Sequence, residues 1–344
     1  MKMIYDFDDL LMPPSTLGDI SHRKNIKIWD EDGNLPLFTA PMDTVINDEN
    51  KHYFKENKII PIVPRTESKH DEGDWIAIGL NEFRTFIDKG MPNNKILVDV
   101  ANGHMRSLYD MAKESKEKYP DTILMIGNIA NPETYKLYSE IGVDYVRIGI
   151  GNGGGCLTTE QTGIGYPMAS LIKECYDIAC TLNDPAKIVA DGGFKKYADI
   201  IKALGLGANY VMLGSILNKS LESCGDTYFA NKKYDSWTEP GEKVDQYSDE
   251  IKMLFQSGQK FYKKFRGMST KEVQKSLGNK VLKTSEGITK MSEVEYTLSG
   301  WVENFTHYLS SHMSYTNKIN LKEFIGEDEY ILITLFVKSF KCVL

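Results

Sequence analysis

The sequence predicts an α/β protein folded as a (β/α)8 TIM barrel with an inserted flap. Short apolar runs rich in β-branched residues alternate with helix-like segments, a rhythm typical of parallel strands joined by helices. Several of these runs end in a small or polar turn, whereas a doubly wound sheet usually carries one phosphate loop after its first strand. A barrel explains this distribution, because the loops after its strands build the active site on one face.

Each element follows from its local pattern. The predicted strands are 37–40, 59–63, 96–100, 123–126, 145–150, 187–190 and 210–213. The predicted helices are 105–118, 132–141, 168–182 and 195–204, which have the 3.6-residue spacing of covering helices. A segment from about 224 to 282, rich in Lys, Tyr, Ser and Gly, breaks the rhythm and predicts the flap. With no internal repeat or low-complexity linker, a single domain over 1–344 is predicted.

Composition narrows the class of protein. The 344 residues are 41% hydrophobic and carry a formal net charge of −7, which argues against nucleic acid or an anionic membrane as the partner. The first residues turn acidic without a long apolar core, so neither a signal peptide nor a membrane span is predicted, and a cytoplasmic location is expected. Five cysteines without paired spacing predict neither a disulfide framework nor a structural metal site.

The glycine-rich stretch 149–167 is the most informative part of the chain, because it places Cys156 on a nearly bare backbone with Thr158 two residues later. Glycines let backbone groups approach a flat ligand or an ion closely. Cys156 is therefore a candidate nucleophile, the alternative being a small packed cysteine. The turns at Gly192–Gly193 and Gly214–Ser215 suit phosphate binding by backbone N–H groups, although a DGG sequence also makes an ordinary tight turn.

Six motifs in register resemble the IMP dehydrogenase and GMP reductase family, over nearly the whole chain. They are APMDTV at 40–45, LVDVANGH at 97–104, GNGGGCLTTEQTGIGYP at 151–167, VADGG at 189–193, VMLGS at 211–215 and RGMS at 266–269. The family fold is a (β/α)8 barrel, in agreement with the prediction from strand alternation.

Departures from the family pattern favour one branch. IMP dehydrogenases usually carry a large insertion after an early strand and an Arg-Tyr pair on their flap. Here only a short stretch separates Val63 from Ile96, and 271–283 contains no Arg-Tyr pair. TSEG at 284–287 instead resembles a GMP reductase segment. The resemblance therefore implies a GMP reductase, an oxidoreductase that converts GMP and NADPH to IMP, ammonia and NADP.

The same resemblance implies roles for individual residues. Cys156 would attack C2 of the purine and form a covalent thioimidate, while Thr158 and Glu286 would handle the proton that reaches the departing amine. From the residues alone, Thr158 is equally a turn hydroxyl and Glu286 a solvated surface charge. Their roles in the catalytic site rest on the family match.

Binding residues are implied in three groups. The substrate group is Asp191, Gly192, Gly193, Gly214, Ser215, Gly267, Met268 and Ser269. The cofactor group, for NADPH, is Asp99, Val100, Ala101, Ile150, Gly151, Ser314 and Tyr315, of which the last two can come from a neighbouring subunit in the family. A monovalent cation, K⁺, would be held by the backbone carbonyls of Gly151, Gly153 and Cys156, and the family implies a homotetramer.

Two departures from the family pattern concern the residues expected to contact the substrate. Gly154 stands where the family commonly has a phosphate-binding serine, and Pro64-Arg65-Thr66 replaces a His-Lys-His pattern, with Arg65 as the substitute cation. Three alternatives therefore stay open beside GMP reductase. They are an NAD-dependent IMP dehydrogenase that forms XMP, a reductase of a deoxy or modified guanine nucleotide, and a catalytically silent nucleotide-binding barrel.

Overall fold

The computed structural model describes residues 4–67, 71, 73–91, 94–229, 241–276, 287–326 and 329–333. Its strands are β1 (Leu10–Leu11), β2 (Leu37–Thr39), β3 (Ile62–Val63), β4 (Trp75–Ile78), β5 (Lys95–Asp99), β6 (Ile123–Ile129), β7 (Tyr145–Ile148), β8 (Lys187–Asp191), β9 (Tyr210–Leu213), β10 (Thr227–Phe229), β11 (Glu242–Val244), β12 (Phe261–Arg266), β13 (Thr289–Glu293) and β14 (Ile331–Leu332).

The helices alternate with the barrel strands and then continue towards the carboxyl end of the chain. They are α1 (Lys51–Glu56), α2 (Leu80–Lys89), α3 (Arg106–Lys118), α4 (Pro132–Glu140), α5 (Thr158–Thr162), α6 (Met168–Ala179), α7 (Tyr197–Gly205), α8 (Ser215–Asn218), α9 (Asp249–Gln256), α10 (Lys271–Ser276), α11 (Leu298–Tyr315) and α12 (Leu321–Phe324). Side-chain capping fixes where α4 begins: the Asn131 side chain accepts a hydrogen bond from the Glu133 amide, and Pro132 fits the first turn.

Eight parallel strands form a nearly closed barrel in the order β2-β9-β8-β7-β6-β5-β4-β3, which confirms the predicted fold class. The seam between the first and last strands of this order is closed by a bridge between Phe38 and Ile60. The Thr39 amide donates to the Ile60 carbonyl at 3.0 Å, and the Ile62 amide donates to the buried Thr39 hydroxyl at 2.9 Å. The Thr39 hydroxyl thus supplies a hydrogen bond between β2 and β3 beyond the backbone bridge.

Aromatic side chains fill the interior of the barrel. Phe38 and Trp75 meet edge to face with ring centroids 5.7 Å apart, and Tyr145 packs edge to face on Trp75 at 5.2 Å. The Lys187 ammonium lies 5.4 Å from the Tyr145 ring centroid and 5.9 Å from that of Tyr210. The barrel is therefore a packed core with a solid floor beneath its carboxyl-end face.

A second, antiparallel sheet follows the barrel in the order β11-β10-β12-β13 and spans 227–293 in the described residues. It lies where the sequence predicts the flap, although the predicted flap ends near 282. Lys263 on β12 is fully buried and donates to the carbonyls of Ser220, Leu221 and Ser223 at 2.6–3.0 Å. These bonds attach the sheet to the segment that follows α8.

The structure places all seven predicted strands within about three residues of their predicted limits and adds an eighth, β4. Its four residues, Trp75 to Ile78, are all buried, yet the run is short and stands between charged segments, so its pattern is weak. Among the described residues, no helix is both long and apolar enough to cross a membrane.

Candidate active site

A cavity of about 270 Å³ opens at the carboxyl ends of the barrel strands. The glycine-rich loop after β7 forms one wall, and the turns after β5, β8 and β9 form the others. The segment Gly267 to Ser269, which follows β12, covers it from the antiparallel sheet. The two sheets therefore enclose one site between them, although the residues that form it are distant in the chain.

Cys156 lies in this cavity at the end of the glycine-rich loop. Its amide donates to the Gly153 carbonyl at 3.0 Å, and its Sγ donates to the Thr158 Oγ1 at 3.2 Å. The loop needs glycine at 151, where φ is +81° and a Cβ would stand 1.7 Å from the Thr159 hydroxyl. The backbone therefore folds tightly enough to bring the thiol and the hydroxyl into contact.

The cysteine loop is also paired with the antiparallel sheet. Gly287 forms an antiparallel bridge with Cys156, and the Ile288 amide donates to the Gly155 carbonyl at 3.1 Å. The Ile288 carbonyl accepts from the Gly267 amide at 3.0 Å. Glu286, the predicted proton partner of Thr158, lies outside the described residues, and its covalent neighbour Gly287 is the residue that pairs with Cys156.

Charged groups on the cavity floor form one network centred on Arg147. Its Nη1 donates to Asp99 at 2.6 Å, and its Nε and Nη2 lie 3.0 and 2.9 Å from Asp191 Oδ2. Asn128 donates to the same Asp191 oxygen at 2.7 Å and to the Gly149 carbonyl at 2.8 Å. Burial alone would lower the pKa of the Arg147 guanidinium, but the two carboxylates raise it, so Arg147 stays charged.

The turn after β8 is folded against the cysteine loop. Gly192 has a φ of +94°, and a Cβ there would stand 2.9 Å from the Gly153 amide nitrogen. This close approach carries Asp191 and Gly193 to the same side of the cavity as Gly214 and Ser215, which all line it. A polar ligand in this corner would meet backbone N–H groups with little side-chain obstruction.

The structure brings most of the predicted site residues together. All eight of the predicted substrate group line the cavity, together with Cys156, Thr158 and five of the predicted cofactor group, Asp99, Val100, Ala101, Ile150 and Gly151. Arg65, the predicted substitute cation, also lines it. Gly151, Gly153 and Cys156 share one loop, as a cation site would need, but the Gly153 carbonyl already accepts from the Cys156 amide.

Ser314 and Tyr315 lie elsewhere, at the end of α11. Tyr315 is 63% exposed and lines a different cavity with Leu11, Tyr197 and Tyr308. Its carbonyl accepts from the Ser15 amide at 2.9 Å. Within one chain, these two predicted cofactor residues are therefore separate from the cavity that holds Cys156.

Two residues of the Arg147 network, Asn128 and Arg147 itself, were not predicted from the sequence. Asn128 stands in a Gly-Asn turn like many others, and only the fold aims its amide at Asp191. Arg147 carries a usable signal, because it is a charged residue inside the otherwise apolar strand Tyr145–Ile148. A buried strand admits such a residue when acidic partners face it, and Asp99 and Asp191 end the strands β5 and β8.

The other described cysteines have different surroundings. Burial raises the pKa of the Cys175 and Cys224 thiols, so both stay protonated at neutral pH. Cys180 is an exposed free thiol on the outer layer. Of the four cysteines that the structure describes, only Cys156 lines the cavity.

Comparison with known proteins gives a consistent assignment. Residues 84–243 match the model of the IMP dehydrogenase / GMP reductase domain. The chain is 31% identical to a GMP reductase of Lactobacillus acidophilus over an alignment of 245 positions, which covers 64% of this chain and 72% of that protein. It is 31% identical to a GMP reductase of Staphylococcus epidermidis, covering 67% of this chain and 76% of that protein.

A further relative extends the match along the whole length. A GMP reductase of Lactobacillus delbrueckii subsp. bulgaricus is 27% identical over an alignment of 352 positions, which covers 96% of this chain and 94% of that protein. The region 84–243, which matches the family model, includes the strands β5 to β9 and the loop that carries Cys156. The chain therefore belongs to the IMP dehydrogenase / GMP reductase family.

Proposed function

We propose that the protein is a GMP reductase, which converts GMP to IMP and ammonia with NADPH as the reductant. The observation that carries this proposal is the contact between the Cys156 thiol and the Thr158 hydroxyl, at 3.2 Å, inside a cavity lined by the glycines of three barrel loops. A nucleophile with a hydroxyl partner and an anion-binding corner is what substitution at a purine nucleotide requires. The names of the relatives support the same reaction.

In the proposed mechanism the Cys156 sulfur adds to C2 of the guanine, and the C2–N bond breaks to release ammonia. The product of this step is a thioimidate between Cys156 and the purine. A bound NADPH would supply the hydride that reduces C2, and cleavage of the C–S bond would then free IMP and the thiolate. The balance is GMP, NADPH and two protons giving IMP, NADP⁺ and ammonium. A thiolate suits both ends of this sequence, since it attacks readily and leaves readily.

Thr158 is proposed to pass a proton to the departing amine. A threonine hydroxyl is a weak acid, so it needs a neighbouring group to polarise it. Glu286 is proposed for that role, and the pairing of Gly287 with Cys156 supports it, because the bridge brings the adjoining chain to the cysteine loop. The Cys156–Thr158 hydrogen bond orders the hydroxyl beside the reacting sulfur.

Nucleotide binding is proposed along the turns after β8 and β9. Asp191 would accept from the ribose hydroxyls, and Arg147 with Asn128 would hold its carboxylate in place. Gly192, Gly193, Gly214 and Ser215 would bind the phosphate through backbone N–H groups. The base would lie towards Cys156, under the Gly267–Ser269 segment.

The cofactor is proposed to lie beside the cysteine loop. Asp99, Val100, Ala101, Ile150 and Gly151 form an open wall of the same cavity, which fits a nicotinamide placed near Cys156. Ser314 and Tyr315 would reach a cofactor from a neighbouring subunit of a homotetramer, because within one chain they lie apart. K⁺ is proposed to sit at the carbonyls of Gly151, Gly153 and Cys156, and the cytoplasm is the proposed location.

The test is to incubate the purified protein with GMP, dGMP or IMP and with NADPH, NADH or NAD. We expect GMP to drive NADPH oxidation, followed at the reduced-cofactor absorbance band, with one ammonia released for each NADPH consumed. NAD reduction with IMP would instead identify a dehydrogenase, and a preference for dGMP would identify a deoxynucleotide reductase. NADPH oxidation without ammonia release would contradict the deaminating mechanism.

Replacement of the proposed nucleophile gives the first prediction. Cys156→Ala is expected to lower kcat by at least about a thousandfold, because no thioimidate can form, while the GMP dissociation constant changes little. The matched control is Cys180→Ala, which removes an exposed thiol outside the cavity and should leave kcat unchanged. Substantial turnover by the Cys156→Ala variant would exclude covalent catalysis by this residue.

A further inference from the structure

Lys290 lies on β13 at the edge of the cavity. Its Nζ donates to the Gly154 carbonyl at 3.2 Å and lies 5.4 Å from the centroid of the Phe265 ring. Gly154 and Phe265 both line the cavity. An ammonium group has three protons, so the bond to Gly154 leaves two for a ligand.

The positive charge on Lys290 has no counter-charge in the described part of the chain. No described carboxylate lies within ion-pair distance of its Nζ, and the nearby Lys219 is paired with Glu295 at 2.6 Å. Burial and, to a smaller extent, Lys219 lower the pKa of the Lys290 ammonium. An anion bound beside Nζ would offset both the burial of the charge and its repulsion by Lys219.

The geometry around Gly154 shows where that anion would sit. A Cβ built on Gly154 would lie 3.5 Å from the Ser215 hydroxyl and 3.8 Å from the Lys290 Nζ. The ammonium and the hydroxyl therefore flank the point at which a serine side chain would begin. Gly154 leaves this space open between a cation and the phosphate-binding turn at Gly214 and Ser215.

We propose that Lys290 binds the 5′-phosphate of the nucleotide together with Ser215, in the space that Gly154 leaves open. This inference rests on the proposed function, since it assigns a further binding residue to the same substrate. It implies that an ammonium on the antiparallel sheet takes over a contact that a loop hydroxyl would otherwise make. The phosphate contact thereby gains a full positive charge and joins the two sheets across the cavity.

Nucleotide binding by charge variants tests the proposal. Dissociation constants for GMP and for guanosine are measured by calorimetry on the wild type, Lys290→Met and Lys290→Arg, at low and at high salt. Lys290→Met is expected to raise the dissociation constant for GMP by about tenfold to a hundredfold at low salt. The increase should be smaller at high salt. Guanosine, which has no phosphate, should bind all three proteins equally, and Lys290→Arg should keep most of the affinity for GMP.

Two further variants sharpen the test. Lys260→Met removes an exposed lysine that immediately precedes β12 and is paired with Glu293 at 3.1 Å, and it should leave GMP affinity unchanged. Gly154→Ser fits without a close contact, because the neighbours of the new Cβ are at 3.5 Å or beyond. Added to Lys290→Met, it should recover part of the lost GMP affinity.

The outcomes separate this inference from the proposed function. Wild-type affinity for GMP in Lys290→Met would overturn the inference and leave the proposed function standing. An equal loss for GMP and guanosine would make Lys290 a structural residue and would also overturn it. A wild-type protein that binds no guanine nucleotide would overturn the proposed function, and this inference with it.

Discussion

Arg147 shows at the scale of one residue how charge is managed inside the barrel. Its guanidinium is nearly buried, and its fork places separate N–H groups on Asp99 and on Asp191. A lysine offers a single ammonium and could not span both carboxylates with this geometry. The residue therefore orients two aspartates that line the cavity.

Removing the charge of Arg147 should destabilise the protein. Arg147→Met is expected to lower the free energy of unfolding by about 3–5 kcal/mol, because two largely buried carboxylates lose their partner. Urea denaturation followed by circular dichroism measures the change. Arg106→Met is the control, since its exposed pair with Asp110 contributes little, and equal stability of the two variants would refute a buried charge network.

At the scale of elements, the position of the antiparallel sheet depends on Lys263. Burial lowers the pKa of this ammonium to about 7, and its three N–H groups are matched by three carbonyls of the segment after α8. The same segment carries on from the turn at Gly214 and Ser215, which lines the cavity. Lys263 is therefore one of the links between the sheet that carries Lys290 and the turn proposed to bind the phosphate.

Lys263→Met should loosen this attachment. We expect a loss of about 3–5 kcal/mol in the free energy of unfolding, since three buried carbonyls would lose their donor. We also expect faster hydrogen exchange in β10 and β12, measured by mass spectrometry. Lys260→Met, in which an exposed lysine next to β12 is replaced, should leave both measurements close to wild type. Unchanged exchange in the Lys263 variant would show that other contacts hold the sheet.

At the scale of the whole molecule, barrel closure depends on the seam between β2 and β3. Only a few backbone hydrogen bonds cross there, and the Thr39 hydroxyl accepts from the Ile62 amide in a fully buried position. Each of the other neighbouring strand pairs has between two and five paired residues, with two between β3 and β4 and five between β5 and β6. The seam is the thinnest part of the barrel wall.

Thr39→Val keeps the size of the side chain but removes the acceptor. The variant should lose about 1–3 kcal/mol in the free energy of unfolding, because a buried amide is left without a partner. Chemical denaturation measures this loss, and Thr39→Ser, which keeps the hydroxyl, should lose less. Thr85→Val serves as a control on an exposed helix position. A free energy of unfolding equal to wild type in Thr39→Val would mean that the Thr39 hydroxyl does not contribute to the stability of the barrel.

The barrel could be predicted from the sequence because its strands are short apolar runs with a polar turn after each, and that pattern is local. β4 was not predicted, because its four residues lie between charged segments and are too few to give a clear strand pattern. The loop around Cys156 could be predicted for the same local reason. The partners of Asp191, and the approach of Lys290 to Gly154, could not, since they join residues far apart in the chain.

The shared use of Arg147 also limits how this barrel can be redesigned. Because one guanidinium carries a single positive charge against two aspartates, changing either aspartate alters the charge balance and the hydrogen bonding around the other. In the proposed assignment Asp191 would contact the nucleotide and Asp99 the reductant, so a single side chain would couple the two specificities. An engineer who seeks a new substrate or cofactor would do better to alter the surrounding loops, where each change can be made and selected independently.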